Sequence, residues 1–321
     1  MKILSFVHAY PPIHNCGAEW MLHEINKFFL SQGHEVRVLI EGSPEYEFDG
    51  VKVMDGKEWA DSFSWCDCVI THLDKTTKTL DLGKHRPIIW LMHNTHNYGM
   101  LRGMKNVHVI YNSNAAKVIC EYPFNESFVL RPPTDTSYYN VATDPFKNEF
   151  ITLINLNKNK GANQFYEIAR LMPEYKFLGV KGSYEEQILS DLPNVTIIEN
   201  TSDIREVYKK TRILLMPSEY ESWGRTATEA MANGIPVIAN KTFGLEENLS
   251  DAGLFCEREN INQWIEMIKK LDTKKEYDKQ SKKVRKRATE LDSAHSLKDF
   301  ENYLYKVTNK AHVPKKEYAN N

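Results

Sequence analysis

The stretch Ile213-Leu-Leu-Met-Pro-Ser-Glu-Tyr-Glu-Ser-Trp-Gly-Arg-Thr-Ala-Thr-Glu-Ala-Met-Ala-Asn-Gly-Ile-Pro-Val-Ile-Ala239 reads as strand, loop, helix and strand in immediate succession. Ile213 to Met216 is an apolar run of the buried-strand type, stopped by Pro217. Gly224 breaks the loop, Thr226 to Asn233 has the pattern of a helix, and Gly234 closes it from the C′ position. Ile235 to Ala239 follows as a second buried strand. Glu221 is therefore expected on a loop at the carboxyl end of one strand, and Glu229 about one turn inside the next helix. A loop of small residues ahead of a helix start binds anions, because the first amides lack partners and the helix dipole favours negative charge. A carboxylate on each flank can accept hydrogen bonds from hydroxyls. Phosphate between two hydroxyl-binding groups is the pattern of a nucleotide sugar.

The same alternation runs through the whole chain. Strands are expected at Lys2 to Val7, Glu35 to Ile40, Val51 to Met54, Cys68 to His72, Pro87 to Met92 and Val107 to Tyr111. Between the first two, Ala18 to Ser31 places Met21, Ile25, Phe28 and Phe29 on one helical face and ends at Gly33. A second series begins at Phe150 to Leu156 and continues through Lys176 to Val180, Val195 to Ile198, Ile213 to Met216, Ile235 to Ala239 and Leu254 to Phe255. Strands separated by helices predict parallel, doubly wound sheets. At 321 residues the chain suits two domains rather than one core. The first is expected over 1–135 and the second over 149–290. The aperiodic stretch 136–148 reads as the linker, 291–309 as a C-terminal helix that crosses back, and 310–321 as a frayed tail.

The glutamate pair, with seven residues between its members, resembles the motif of the retaining glycosyltransferases of family 4, which have the GT-B fold. Further anchors stand in the family's order. Gly17-Ala-Glu19 follows the first strand, Gly33-His-Glu-Val36 the first helix, His93-Asn94 the strand ending at Met92, and Lys160-Gly161 the strand from Phe150. The resemblance implies two facing Rossmann-like domains with a cleft between them, an acceptor-side domain first and a donor domain second. It implies a hexosyl- or pentosyltransferase that uses a nucleotide diphosphate sugar, a UDP-sugar first among them, with no cofactor. By the same resemblance Glu221 binds hydroxyls of the transferred sugar, Glu229 the ribose, and His93 the sugar near the reacting carbon. Lys160, helped by Lys158, meets the diphosphate. Gly17, Ser222, Trp223, Gly224, Arg225 and Thr226 line the donor site. Two departures stand out. Asn155 occupies the place of an arginine in the family, which Lys158 or Arg225 would have to replace, and Cys16 takes the place of a glycine.

No Asp-x-Asp occurs, nor any His, Cys or carboxylate run with metal-ligand spacing, so no metal site is expected. Charge on a leaving diphosphate must then be offset by cationic side chains and helix starts. Net charge is −2, which gives the whole protein no bulk attraction to nucleic acid or anionic lipid. Its distribution is uneven. Seven basic residues, among them Lys75, Lys78, Lys84, Arg86, Arg102 and Lys105, stand against the single acid Asp81 between Lys75 and Lys117. Such a surface suits an anionic membrane and a glycan or lipid-linked acceptor, and equally DNA carrying a modified base as acceptor. A nucleotide-sugar epimerase and a non-catalytic sugar-nucleotide binder are the other readings of this fold. Met1-Lys2 is followed by five mainly apolar residues before His8, fewer than a signal peptide needs, and no run approaches a membrane span. With five scattered cysteines, this predicts a cytoplasmic protein, peripheral at the membrane or in a host cytoplasm if phage-encoded.

Overall fold

A computed structural model describes residues 1–73, 79, 85–95, 106–120, 127–141, 144–291 and 294–311. Lys75, Lys78, Lys84, Arg102 and Lys105 of the basic window lie outside the described residues; Arg86 lies within them. The chain divides into two compact units, Met1–Pro133 with Ser293–Asn321, and Thr134–Asp292.

The first unit is built on β1 (Lys2–Phe6), β2 (Glu35–Ile40), β3 (Tyr46–Phe48), β4 (Val51–Asp55), β5 (Cys68–Thr71), β6 (Ile88–Met92), β7 (Val107–Tyr111) and β8 (Ser127–Val129). Their order in the sheet is β3-β4-β2-β1-β5-β6-β7-β8. Every pairing is parallel except that of β3 with β4. The central strands are buried on both faces, which is why they read as largely apolar runs without in-out alternation. Helix α1 (Gly17–Ser31) buries Met21, Leu22, Ile25 and Phe29 on this sheet. Gly33, at φ +84°, ends it in a Schellman arrangement: its amide donates to Leu30 O, and the His34 amide to Phe29 O. Helices α2 (Trp59–Trp65) and α3 (Asn114–Ile119) are also described in the N-terminal part.

The second unit begins with α4 (Thr136–Tyr139) and a 3-10 turn at Pro145–Lys147, inside the stretch expected to be a linker. The Asp135 carboxylate accepts from the amides of Ser137 and Tyr138 and so caps a helix too short for any periodic signal. Its strands are β9 (Phe150–Ile154), β10 (Lys176–Val180), β11 (Val195–Ile198), β12 (Thr211–Met216), β13 (Val237–Asn240) and β14 (Leu254–Cys256). They form an all-parallel sheet in the order β11-β10-β9-β12-β13-β14. Helices α5 (Ala162–Leu171), α6 (Arg205–Tyr208), α7 (Arg225–Ala232), α8 (Phe243–Leu249), α9 (Ile261–Lys270) and α10 (Lys274–Glu290) wind around it. Trp264, Phe165 and Phe177 fill the core on one face. The expected strand Ile235 to Ala239 starts two residues late, at Val237, because Pro236 has no N–H for the ladder.

The last helix, α11 (Ala294–Thr308), belongs to the first unit. Phe300 packs 5.9 Å from Phe29 and 5.7 Å from Phe128, centroid to centroid. Beside it His34 Nε2 donates to Glu301 at 2.8 Å, and Lys298 donates to the other carboxylate oxygen. Burial, the largest influence, holds His34 below its ordinary pKa in spite of Glu301. Burial also raises Glu301, but the hydrogen bonds from Lys298 and His34 outweigh it and leave the carboxyl below its ordinary value. Both depressions act in one direction. The unfolded chain binds more protons than the folded one, so stability falls as pH drops below about 6.5 for His34 and through about 4.3 for Glu301. Thermal unfolding between about pH 7 and 4 is expected to fall less steeply in a His34→Phe/Glu301→Leu double variant than in the wild type. Equal slopes would exclude this pair as the acid-sensitive link.

Among the described residues no helix is long and apolar enough to cross a membrane.

Candidate active site

In a doubly wound sheet the ligand site forms where strand order reverses, beyond the carboxyl ends of the strands. In the second unit that point lies between β9 and β12. The loop after β9 carries Lys158 and Lys160; the loop after β12 carries Glu221. Lys160 Nζ donates to Glu221 Oε1 at 2.5 Å, and Ser218 Oγ donates to the same oxygen at 3.1 Å. Burial lowers the Lys160 ammonium, but the charge and hydrogen bond of Glu221, with Tyr184 and Glu185, more than reverse it and leave its pKa above the ordinary value. The side chain is therefore a permanent cation at neutral pH. It has three donors, and Glu221 uses one.

Backbone contacts fix this pair. Gly161 caps α5 at φ +85°, and a Cβ there would stand 2.5 Å from Pro217 O, so glycine lets the two loops touch. Glu219 N donates to Asn159 O at 2.8 Å, and Lys160 N to Asn157 Oδ1 at 2.8 Å. The Glu221 carbonyl accepts from Gly244 N at 3.2 Å, a contact that a Cβ at Gly244, 2.4 Å from that same oxygen, would block. Arg258, from the loop after β14, donates to Pro217 O at 2.9 Å and Lys158 O at 3.1 Å and ties both loops together. An open depression of about 840 Å³ lies alongside, lined by Asn240, Glu257, Arg258 and Asn260 among others. That is within the ~300–1,000 Å³ of small-molecule sites.

Glu229 sits on α7 with 4% of its surface exposed. Arg225 Nε donates to its Oε1 and Tyr208 OH to its Oε2, both at 2.7 Å, and Arg225 also donates to Tyr139 OH at 3.0 Å. Tyr208 and Tyr139 come from α6 and α4, distant in sequence, and no local pattern marks them.

The other expected donor-site residues fall into two groups. Gly224 caps α7 at φ +83°, where a Cβ would meet Leu245 at 2.6 Å; Ser222 and Thr226 flank it, partly exposed. Trp223, by contrast, is 2% exposed, so its indole is a core group; the Asn248 side chain donates to the Trp223 and Gly224 carbonyls at 3.0 Å each. The Lys158 side chain is exposed, and the Arg225 guanidinium is committed to Glu229 and Tyr139. Asn155 has its side chain bonded to Gln187, which also accepts from Leu156 N and Gly182 N. An amide knot thus fills the place where the resemblance implies an arginine.

In the first unit strand order reverses between β1 and β5. His8, His72 and His93 stand just past the ends of β1, β5 and β6, three neighbouring strands. His72 Nδ1 and His93 Nε2 are 2.9 Å apart. Burial, with the charge of His8, pushes the His93 imidazole down to about 4, and His72 also falls well below its ordinary value. Both rings are neutral at pH 7. Glu19 is 1% exposed and lies 3.4 Å from His8 Nε2 and 3.7 Å from His14 Nδ1; burial raises its carboxyl to about 7. Gly17, two residues before, has only open space where a Cβ would be. The lack of metal-ligand spacing along the chain does not describe this cluster, which the fold assembles from residues up to 64 positions apart (His8 to His72). The readable signal was positional: one histidine at or within two residues of the end of each of three parallel strands.

These two sheets, each with its helices, define the GT-B type of α/β fold, as comparison with solved structures bears out. HepE of Anabaena in complex with UDP-glucose is similar at a TM-score of 0.76 and 15% identity, over 96% of this chain and all of that one, 100%. Sucrose-phosphate synthase from Thermosynechococcus elongatus reaches 0.76 at 13% identity, over 95% and 98%. Residues 141–290, most of the second unit, match the family model of glycosyl transferases group 1. An uncharacterized glycosyltransferase of Haemophilus influenzae is 30% identical over 115 residues, 33% of this chain and 32% of that protein. The capsular polysaccharide biosynthesis glycosyltransferase CapM of Staphylococcus aureus is 24% identical over 151 residues, 43% of this chain and 39% of its own. The matched stretches thus span about a third of the length of these curated relatives.

Proposed function

We propose that this chain is a retaining glycosyltransferase of family 4 that takes its sugar from a nucleotide diphosphate sugar, a UDP-sugar first among them. One observation carries the reading. Lys160 and Glu221, a cation and a hydroxyl acceptor from sequence-distant loops, are joined at the switch point of the second sheet, with Glu229 buried one turn inside the adjoining helix. In this account Lys160 and the positive dipole end of α7 hold the diphosphate, which needs no magnesium-type ion. Glu229 accepts from the ribose hydroxyls, and Glu221 from hydroxyls of the transferred sugar. The family resemblance gives His93 a hydroxyl of the transferred sugar, with which its neutral imidazole can exchange one hydrogen bond. The bond from the anomeric carbon to the diphosphate breaks as the acceptor oxygen attacks the same face. The acceptor's proton passes to the leaving diphosphate, and no covalent enzyme intermediate forms.

The acceptor is a glycan or a lipid-linked glycan. The similarity to CapM, whose name places it in capsular polysaccharide biosynthesis, supports that class. The product, formed without added magnesium or manganese, is expected to keep the donor's anomeric configuration by proton NMR. An inverted product would refute the retaining assignment.

A further inference from the structure

We infer that His8, His72 and Glu19 of the first unit form a binding site for a divalent transition-metal ion, zinc by the chemistry of its donors. Their ligand atoms lie within 4.8 Å of one another. Around a tetrahedral ion with bonds of ~2.0–2.2 Å, ligand atoms stand ~3.4 Å apart. That is the separation of His8 Nε2 and Glu19 Oε1, 3.4 Å. The cluster is close-packed without satisfying itself. His72 is 0% and Glu19 1% exposed, yet among the described residues His72 Nε2 and Glu19 Oε2 have no hydrogen-bond partner. A carboxylate oxygen and an imidazole nitrogen buried in that condition cost stability, and a shared cation satisfies both at once.

His93 supplies the outer support that metal-binding histidines use. When His72 Nδ1–H donates to His93 Nε2, 2.9 Å away, the lone pair of His72 Nε2 is left bare on the side of Glu19 and His8. Two imidazoles and one carboxylate select zinc-like ions over magnesium or calcium, which prefer all-oxygen shells. His14 and Cys16 form a second set with Glu19 inside the same 4.8 Å limit. The proposed ligands all belong to the first unit, and Lys160, Glu221 and Glu229 to the second. Failure of the metal site would leave the transferase reading untouched.

The test uses tag-free, full-length protein stripped with a chelator, desalted, and titrated with Co²⁺ followed by visible absorption. One saturable equivalent with the intense bands of a tetrahedral site is expected, displaced by Zn²⁺. Glu19→Gln, a near-isostere, and His8→Gln, at a partly exposed position, should each remove those bands, and His93→Gln should weaken binding by about 10- to 100-fold. Circular dichroism of each variant separates lost ligation from lost folding. No saturable uptake, a pale octahedral spectrum, or wild-type affinity in both Glu19→Gln and His8→Gln would overturn the proposal.

Discussion

Replacing Lys160 by alanine is expected to lower kcat by about 100- to 1,000-fold, the usual effect of removing one fixed donor from a site of developing charge. The diphosphate gains negative charge as its bond to the sugar breaks, so an ammonium nearby stabilises the transition state more than the bound donor. KM should therefore change less than kcat. The substitution also leaves Glu221 with Ser218 as its remaining side-chain partner, so melting is to be measured alongside. Lys160→Arg keeps the charge but not the compact ammonium that fits beside Glu221, and partial rescue is expected. Turnover within threefold of wild type (about 0.6 kcal/mol) in a folded Lys160→Ala protein would remove this residue from the account.

The second large effect concerns Glu229. Two ribose hydroxyls donating to a carboxylate contribute ~1.5–3 kcal/mol each, so Glu229→Ala should weaken the donor nucleotide by about 100-fold or more. The same change strands a buried guanidinium, since Arg225 donates to Glu229 at 2.7 Å with both side chains under a tenth exposed. Breaking such a pair costs ~3–5 kcal/mol of stability. Tyr208→Phe separates the two consequences. It removes one partner of the carboxylate and leaves Arg225 in place, and it should cost less than about tenfold in donor affinity.

The relation between sequence and structure is uneven for physical reasons. The segment from Ile213 to Ala239 was legible in its order of elements because two apolar runs, two prolines and two glycines punctuate it locally, although the second strand starts only after Pro236. The three-residue strands Tyr46–Phe48 and Ser127–Val129 were not, because so short a segment carries no period. Residues 136–148 read as a linker since their order comes from a side-chain cap and from Tyr139 reaching Arg225, neither of which leaves a periodic trace. At the site, the motif residues themselves could be named, and Lys160 and Glu221 do meet. Their supports could not: Arg258, Gly244, Tyr208 and Asn248 act through contacts made only once the sheet has brought distant loops together. Trp223 shows that a residue inside such a motif can also pack in the core, where burial places its indole.

Calorimetric titration of UDP-, GDP- and ADP-sugars into the wild-type protein and Glu229→Ala, with chelator present, addresses the central claim. One donor, a UDP-sugar, is predicted to bind the wild type, and the variant to lose it. Binding of none of them, or equal binding to a folded Glu229→Ala protein, would contradict the assignment of this site to a nucleotide sugar.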